Sequence, residues 1–133
     1  MYMELKIRTQ KEGSKTMKNA KLENLFKLNS KVTIIVPATI NITEEIDNTE
    51  YVEEVATLFS ECFGGATATQ TLGYWNSPTM GLVKEKSTTV FAYCKESDLM
   101  ANIDRVIEKA EELRDRLKQD AVAMEINGEM YFV

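Results

Sequence analysis

Histidine is absent from this chain of 133 residues. Its absence removes Ser-His-Asp and Cys-His nucleophile activation, Cys/His zinc centres and imidazole proton shuttling together. Cysteine is nearly as scarce. Cys62 and Cys94 stand alone in apolar surroundings without C-x-x-C spacing, and they read as buried, reduced thiols that behave as small hydrophobes. No apolar run approaches the roughly 20 residues of a membrane-spanning helix; the longest, Val32 to Val36, is strand-sized. The opening MYMELKIRTQKEG has no apolar h-region after its charges, so it is not read as a secretory signal. A cytoplasmic protein with no membrane partner, no metal and no cofactor is the expectation.

What is present has the balance of a soluble globular domain, with 44% hydrophobic and 28% charged residues. The net charge of -5 conceals a split. Residues 1–30 carry seven basic side chains against three acids, so residues 31–133 keep nine of the 16 basic and eighteen of the 21 acidic groups. The expected organisation is a basic, partly disordered arm over 1–30 and a single α+β domain over 31–133. Leu22, Leu25, Phe26 and Leu28 offer one short amphipathic turn for docking the arm on the core. An acidic body lacks the clustered positive charge that phosphate binding needs, which argues against a direct nucleic-acid partner.

Along the body, Val32–Val36 is β-branched and closes at Pro37, which cannot donate to a ladder. Ala38 to Ile46 reads as a polar connection. Asp47 and Glu50 have capping-box spacing, with Asn48 an equal choice of cap, ahead of a helix whose Val52, Val55, Leu58, Phe59, Cys62 and Phe63 share one face. Gly64-Gly65 ends it. The stretch GGATATQTLGYWNSPTMGLVKEKSTTVFAYC then reads as two strands folded back on each other around Asn76-Ser77-Pro78 and Gly81. In the second strand Val90, Ala92 and Cys94 point one way, Phe91 and Tyr93 the other. Ser97 suits the N-cap of a second helix, with Leu99, Ile103, Val106, Ala110, Leu113 and Leu117 in its stripe. Asn127-Gly128 between AVAMEI and EMYFV is a strong hairpin signal.

Strand, helix, strand, strand, helix, strand is the ferredoxin-like βαββαβ plan: an antiparallel sheet with two helices on one face and, here, an extra C-terminal hairpin strand. The segment from Gly65 to Cys94 resembles the core of a family of small bacterial ferredoxin-like domains of unknown function, through Gly73, Trp75, Gly81, Leu82, Val83 and Glu85. The ending QDAVAMEINGEMYFV is similar to hypothetical proteins of phage and conjugative elements. Neither resemblance implies an established activity.

No catalytic set converges in the sequence. The binding candidates are the exposed-aromatic types Tyr74 and Trp75 beside the turn, and Phe91, Tyr93, Met130 and Phe132 on the sheet face that two helices cannot cover. That face, apolar on both sides of its strands, predicts a homodimer or a protein partner. The expected function is a non-enzymatic interaction protein self-associating through its sheet face, with the phage likeness pointing to an inhibitor of a host defence system. The alternative is a small enzyme with a pocket at the sheet or dimer interface that uses Glu85 with Tyr74 or Tyr93. Against a role for Glu85, Lys84-Glu85-Lys86 also reads as charges protecting an exposed edge.

Overall fold

A computed structural model of the protein describes residues 18–133; of the arm expected over 1–30, residues 1–17 lie outside them. The chain order is α1 (Ala20–Glu23), β1 (Ser30–Pro37), β2 (Thr39–Ile40), β3 (Glu44–Glu45), α2 (Thr49–Phe63), β4 (Thr67–Ser77), β5 (Gly81–Cys94), α3 (Glu96–Arg116), β6 (Ala123–Ile126) and β7 (Glu129–Phe132). The main sheet runs β4-β5-β1-β6-β7, every pair antiparallel. This is the ferredoxin-like arrangement with β7 added by the terminal hairpin. Asn127 and Gly128 both hold positive φ, 53° and 89°, as a type I′ turn requires.

The core lies between the sheet and the two long helices. Val32, Ile34 and Val36 of β1, Val90, Ala92 and Cys94 of β5, and Met124 of β6 meet Val55 and Phe59 of α2 and Leu99, Val106, Ala110 and Leu113 of α3. Alternation along a strand fixes the rest: once Val90 and Ala92 face the helices, the odd-numbered residues of β5 face away. Burial pushes the Cys94 thiol up from its ordinary value, while Cys62 is only half-buried. The α2 end is closed by Gly64 at φ 93°, a left-handed C-cap that glycine takes without strain.

Several local expectations need correction. The Ala38–Ile46 connection contains a second, two-stranded sheet of β2 and β3, turned by Asn41 and Ile42 at φ 56° and 73°. At α2, Asn48 is the N-cap residue but its side chain makes no capping bond; Asp47 Oδ1 instead accepts from the Thr49 amide and hydroxyl. Helix α3 starts at Glu96, capped at Lys95 rather than Ser97, with acids in its first turn favoured by the helix dipole. The Leu22–Leu28 turn does not dock on the core: Leu22, Leu25 and Phe26 stay exposed. The Lys84-Glu85-Lys86 run lies beyond the end of β1, which pairs with β5 only as far as Ser87. Apart from the Ala38 amide donating to Lys86 O at 3.3 Å, that side of β5 is an open edge there, as the alternating charges suggest.

The two long helices are cross-linked by charge. Arg116 donates to Glu54 of α2 at 2.7 and 3.2 Å and to Glu112 at 3.0 Å, and lies 4.7 Å from the Tyr51 ring. Lys109 reaches Glu54 at 3.2 Å and Glu112 at 2.8 Å. The Arg116 guanidinium, helped by Lys109, holds the Glu54 carboxyl below its ordinary value of 4.5.

Replacing Val55 or Phe59 by alanine should cost about 2–5 kcal/mol in denaturant unfolding, because both are fully buried mid-stripe; a loss under about 1 kcal/mol for both would mean that α2 does not form this core. A depressed carboxyl stabilises the fold above its unfolded pKa, and that contribution is lost as the pH falls through the folded value. Glu54→Gln should therefore lower the melting temperature by about 4 °C at neutral pH, the shift expected from about 1 kcal/mol for a partly exposed network. The gap should close as the pH drops below 4.5. A gap that persists in acid would assign the loss to packing.

Candidate functional site

The strands of the sheet are unequal, and the site follows from that. β4 and β5 pair continuously from Thr67↔Phe91 out to Ser77↔Gly81, whereas β1 reaches only to Pro37↔Ser87 along β5. From Leu72↔Lys86 outward, the hairpin has no β1 beside it and projects beyond the sheet. It carries exposed apolar side chains on both faces: Leu72, Tyr74 and Leu82 on the helix side, Trp75 on the other.

At the base of this projection, on the face away from the helices, Glu85 stands opposite Gly73, one alternation beyond the Thr71↔Ser87 pair. The Thr71 hydroxyl lies 2.8 Å from that of Ser87 and 3.0 Å from that of Thr89, so the hydroxyls satisfy one another. Glu85 is half-buried, and among the described residues its carboxylate has no hydrogen-bond or ion-pair partner. Lys84 and Lys86, its neighbours in sequence, project to the opposite face. Gly73 brings no side chain over the carboxylate.

Glu85 opens into a cleft of about 210 Å³ whose walls include Ile35, Pro37, Gln119 and Ala123. Gln119 belongs to the loop after α3, and its Nε2 donates to Thr39 O at 3.0 Å and Leu117 O at 3.1 Å. The Asn41 amide donates to Leu117 O at 3.0 Å. Those bonds tie the loop to the small β2–β3 sheet and fix the wall. Lys86 also lines the cleft, but strand alternation carries its side chain to the other face. The charge set into the cleft is therefore the unpaired carboxylate, beside hydroxyls and an apolar floor, a surface suited to an organic cation with an apolar portion.

Of the six binding candidates, Trp75, Phe91, Tyr93, Met130 and Phe132 lie on the open face, and Tyr74 lies on the helix side. Trp75 is diagonal to Glu85, across the Gly73↔Glu85 and Trp75↔Val83 pairs, and 45% exposed. Phe91 and Tyr93 pack edge to face at 6.1 Å, with Lys31 Nζ 5.0 and 5.8 Å from their centroids. Lys31 also lies 3.8 Å from Glu125, which accepts from Thr33 Oγ1 at 2.7 Å. A polar ridge of Lys31, Thr33 and Glu125 therefore divides the aromatic pair from Met130 and Phe132, and the face is not one apolar patch.

Among the described residues, neither Tyr74 nor Tyr93 joins Glu85 within one copy. Tyr74 points to the other face, and Tyr93 is eight residues along the same strand, about 26 Å at 3.3 Å per residue. Sequence reasoning passed over Ser87 and Gln119. Ser87 was within reach, because alternation from Glu85 puts it on the same face; Gln119 was not, because nothing local brings the loop after α3 to that wall.

No protein-family model matches the chain, so the family suspected from the Gly65–Cys94 segment is unconfirmed. No curated protein matches it either. Among solved structures, the fold is similar to a phage SAM lyase in complex with S-methyl-5'-thioadenosine, at TM-score 0.58 and 18% identity over 90% of this chain and 95% of that one. It is also similar to a phage SAM lyase in the apo state, at TM-score 0.55 and 16% identity over the same shares. The likeness to a phage protein is thus met at the level of fold. The expectation of a non-enzymatic interaction protein, and with it that of a defence inhibitor acting by binding alone, is corrected by these neighbours: the architecture along nine-tenths of the chain is shared with an enzyme.

Proposed function

We propose that the protein is a lyase that cleaves S-adenosylmethionine (SAM) or a close sulfonium analogue, with Glu85 as the substrate-holding residue. The observation that carries this reading is the unpaired, half-buried Glu85 carboxylate in a cleft at the sheet end, on a fold shared nearly end to end with a SAM lyase.

The chemistry suits a chain without histidine. Releasing S-methyl-5'-thioadenosine from SAM breaks the bond between sulfur and Cγ of the methionine arm, and the electron pair goes to sulfur and cancels its positive charge. The arm's own carboxylate can form the replacement bond to Cγ, closing a five-membered lactone. No proton moves, so no imidazole is needed. The reacting centres start as an anion and a cation and end neutral, which a water-poor apolar floor such as Ile35, Pro37 and Ala123 favours.

Glu85 is best placed against the substrate's ammonium rather than its sulfonium. A carboxylate beside the sulfonium would stabilise a charge that disappears in the transition state, and only interactions that strengthen there accelerate the step. The ammonium keeps its charge throughout. Held there, it orients the arm for ring closure at little cost to the barrier. Trp75, diagonal to Glu85, offers a stacking surface for the adenine ring.

A cleft of about 210 Å³ is smaller than the roughly 300–1,000 Å³ of sites that enclose a small molecule. The projecting hairpin, apolar on both faces, is likewise unsuited to standing alone in water. Both features support a site closed by another copy of the chain, which would also be the source of a tyrosine near Glu85.

Incubation with SAM should release S-methyl-5'-thioadenosine, measured by chromatography, and Glu85→Gln should slow release by about 100-fold while the melting temperature holds. Release no faster than in buffer would sink the reading. Light scattering at micromolar concentration should give a mass at least twice 15.1 kDa; a stable monomer would remove the second copy from the site.

A further inference from the structure

Behind the same strands, on the helix side, lies a larger pocket of about 630 Å³ between the start of α2 and the base of the β4–β5 hairpin. The cleft at Glu85 makes no use of it, and its size is that of a small-molecule site. Its polar groups are unusual in being held in place yet unspent. Asn48 Nδ2 donates at 3.3 Å to each of Val36 O, Pro37 O and Thr88 Oγ1, which fixes the carboxamide plane. Its Oδ1 caps no helix amide and has no other partner among the described residues. No partnerless side-chain nitrogen or oxygen is buried among the described residues, so this oxygen is accessible, on a residue that lines the pocket.

Gln70, directly across from Thr88 in the β4–β5 register, and Lys86 add side-chain donors to the same pocket, and neither side chain has a hydrogen-bond or ion-pair partner among the described residues. Ile46 and Leu72 supply apolar surface. The charges at the rim oppose each other: Asp47 disfavours a phosphate, and Lys86 disfavours a cation. What remains is a neutral, flat ring with a donor beside an acceptor on one edge.

We propose that this pocket is a second ligand site, taking an aminopurine of the adenine type. The exocyclic amino group donates to Asn48 Oδ1, a ring nitrogen accepts from the Gln70 amide or Lys86, and the ring faces lie against Ile46 and Leu72. Amide side chains are the ordinary readers of adenine's paired donor and acceptor. The base can come from a free nucleoside or from the adenosine end of a larger compound. The site does not depend on the SAM-cleaving reading, since it shares no side-chain role with Glu85.

Titrations of the full chain with adenosine and with S-methyl-5'-thioadenosine, followed by calorimetry and by the Asn48 and Gln70 side-chain amide resonances, test the assignment. Adenosine should shift both resonances. Gln70→Ala and Leu72→Ala, both at exposed positions, should each weaken adenosine binding about tenfold, and Glu85→Gln should leave it within twofold. If Gln70→Ala weakens both ligands, the pocket takes the base from either source; if adenosine alone, only the free nucleoside. No adenosine binding at millimolar concentration, or binding that falls with Glu85→Gln and ignores Gln70→Ala, would overturn the site. Because these readouts are binding and resonance shifts, they are separate from the release assay that decides the SAM-cleaving reading.

Discussion

The place where β1 stops and β5 does not is the constraint on which both candidate sites depend. Pro37 has no amide hydrogen, and after it only the Ala38 amide reaches β5, donating to Lys86 O at 3.3 Å. Beyond that bond the β4–β5 hairpin loses its third strand and exposes both of its faces. Because successive side chains alternate, one face receives Glu85 and the other Lys86. The Glu85 cleft and the Asn48 pocket are therefore the two sides of one event, the ending of a strand, and Asn48 is tied to it directly through the Val36 and Pro37 carbonyls.

Much of the fold was legible because its signals are periodic or are turn chemistry. Alternation in β5 and β6 assigned both faces correctly, and Gly64 and Asn127-Gly128 marked their turns because few other residues take positive φ. What failed was local geometry decided by distant neighbours. Asn48 has the right chemistry for a cap, yet Val36, Pro37 and Thr88 claim its amide. Asn41 and Ile42 build a turn that Ile42, a β-branched residue, would not announce. Gln119 enters the cleft only because its loop is bonded to β2.

The functional class failed for a different reason. A chain without histidine is poorly equipped for proton transfer, and with no convergent acid-base set the expectation leaned to binding, with a small enzyme kept as the alternative. Under the proposed lyase reading no proton transfer is needed: an anion and a cation within one molecule combine, which asks a protein for orientation and exclusion of water.

On the proposed lyase reading, the helix pair bears on the chemistry as well as on stability. Arg116 near the end of α3 is occupied by Glu54, Glu112 and the Tyr51 ring, so its charge is already paired within the helix layer. That occupation matters for ring closure. A cation clamped on the substrate carboxylate would lower its nucleophilicity, whereas an ammonium held by Glu85 leaves it free. Arg116 is spent on the helix pair, and Lys86, the one cationic residue that lines the cleft among the described residues, sends its side chain to the other face by strand alternation; on the proposed reading both arrangements leave the substrate carboxylate unclamped.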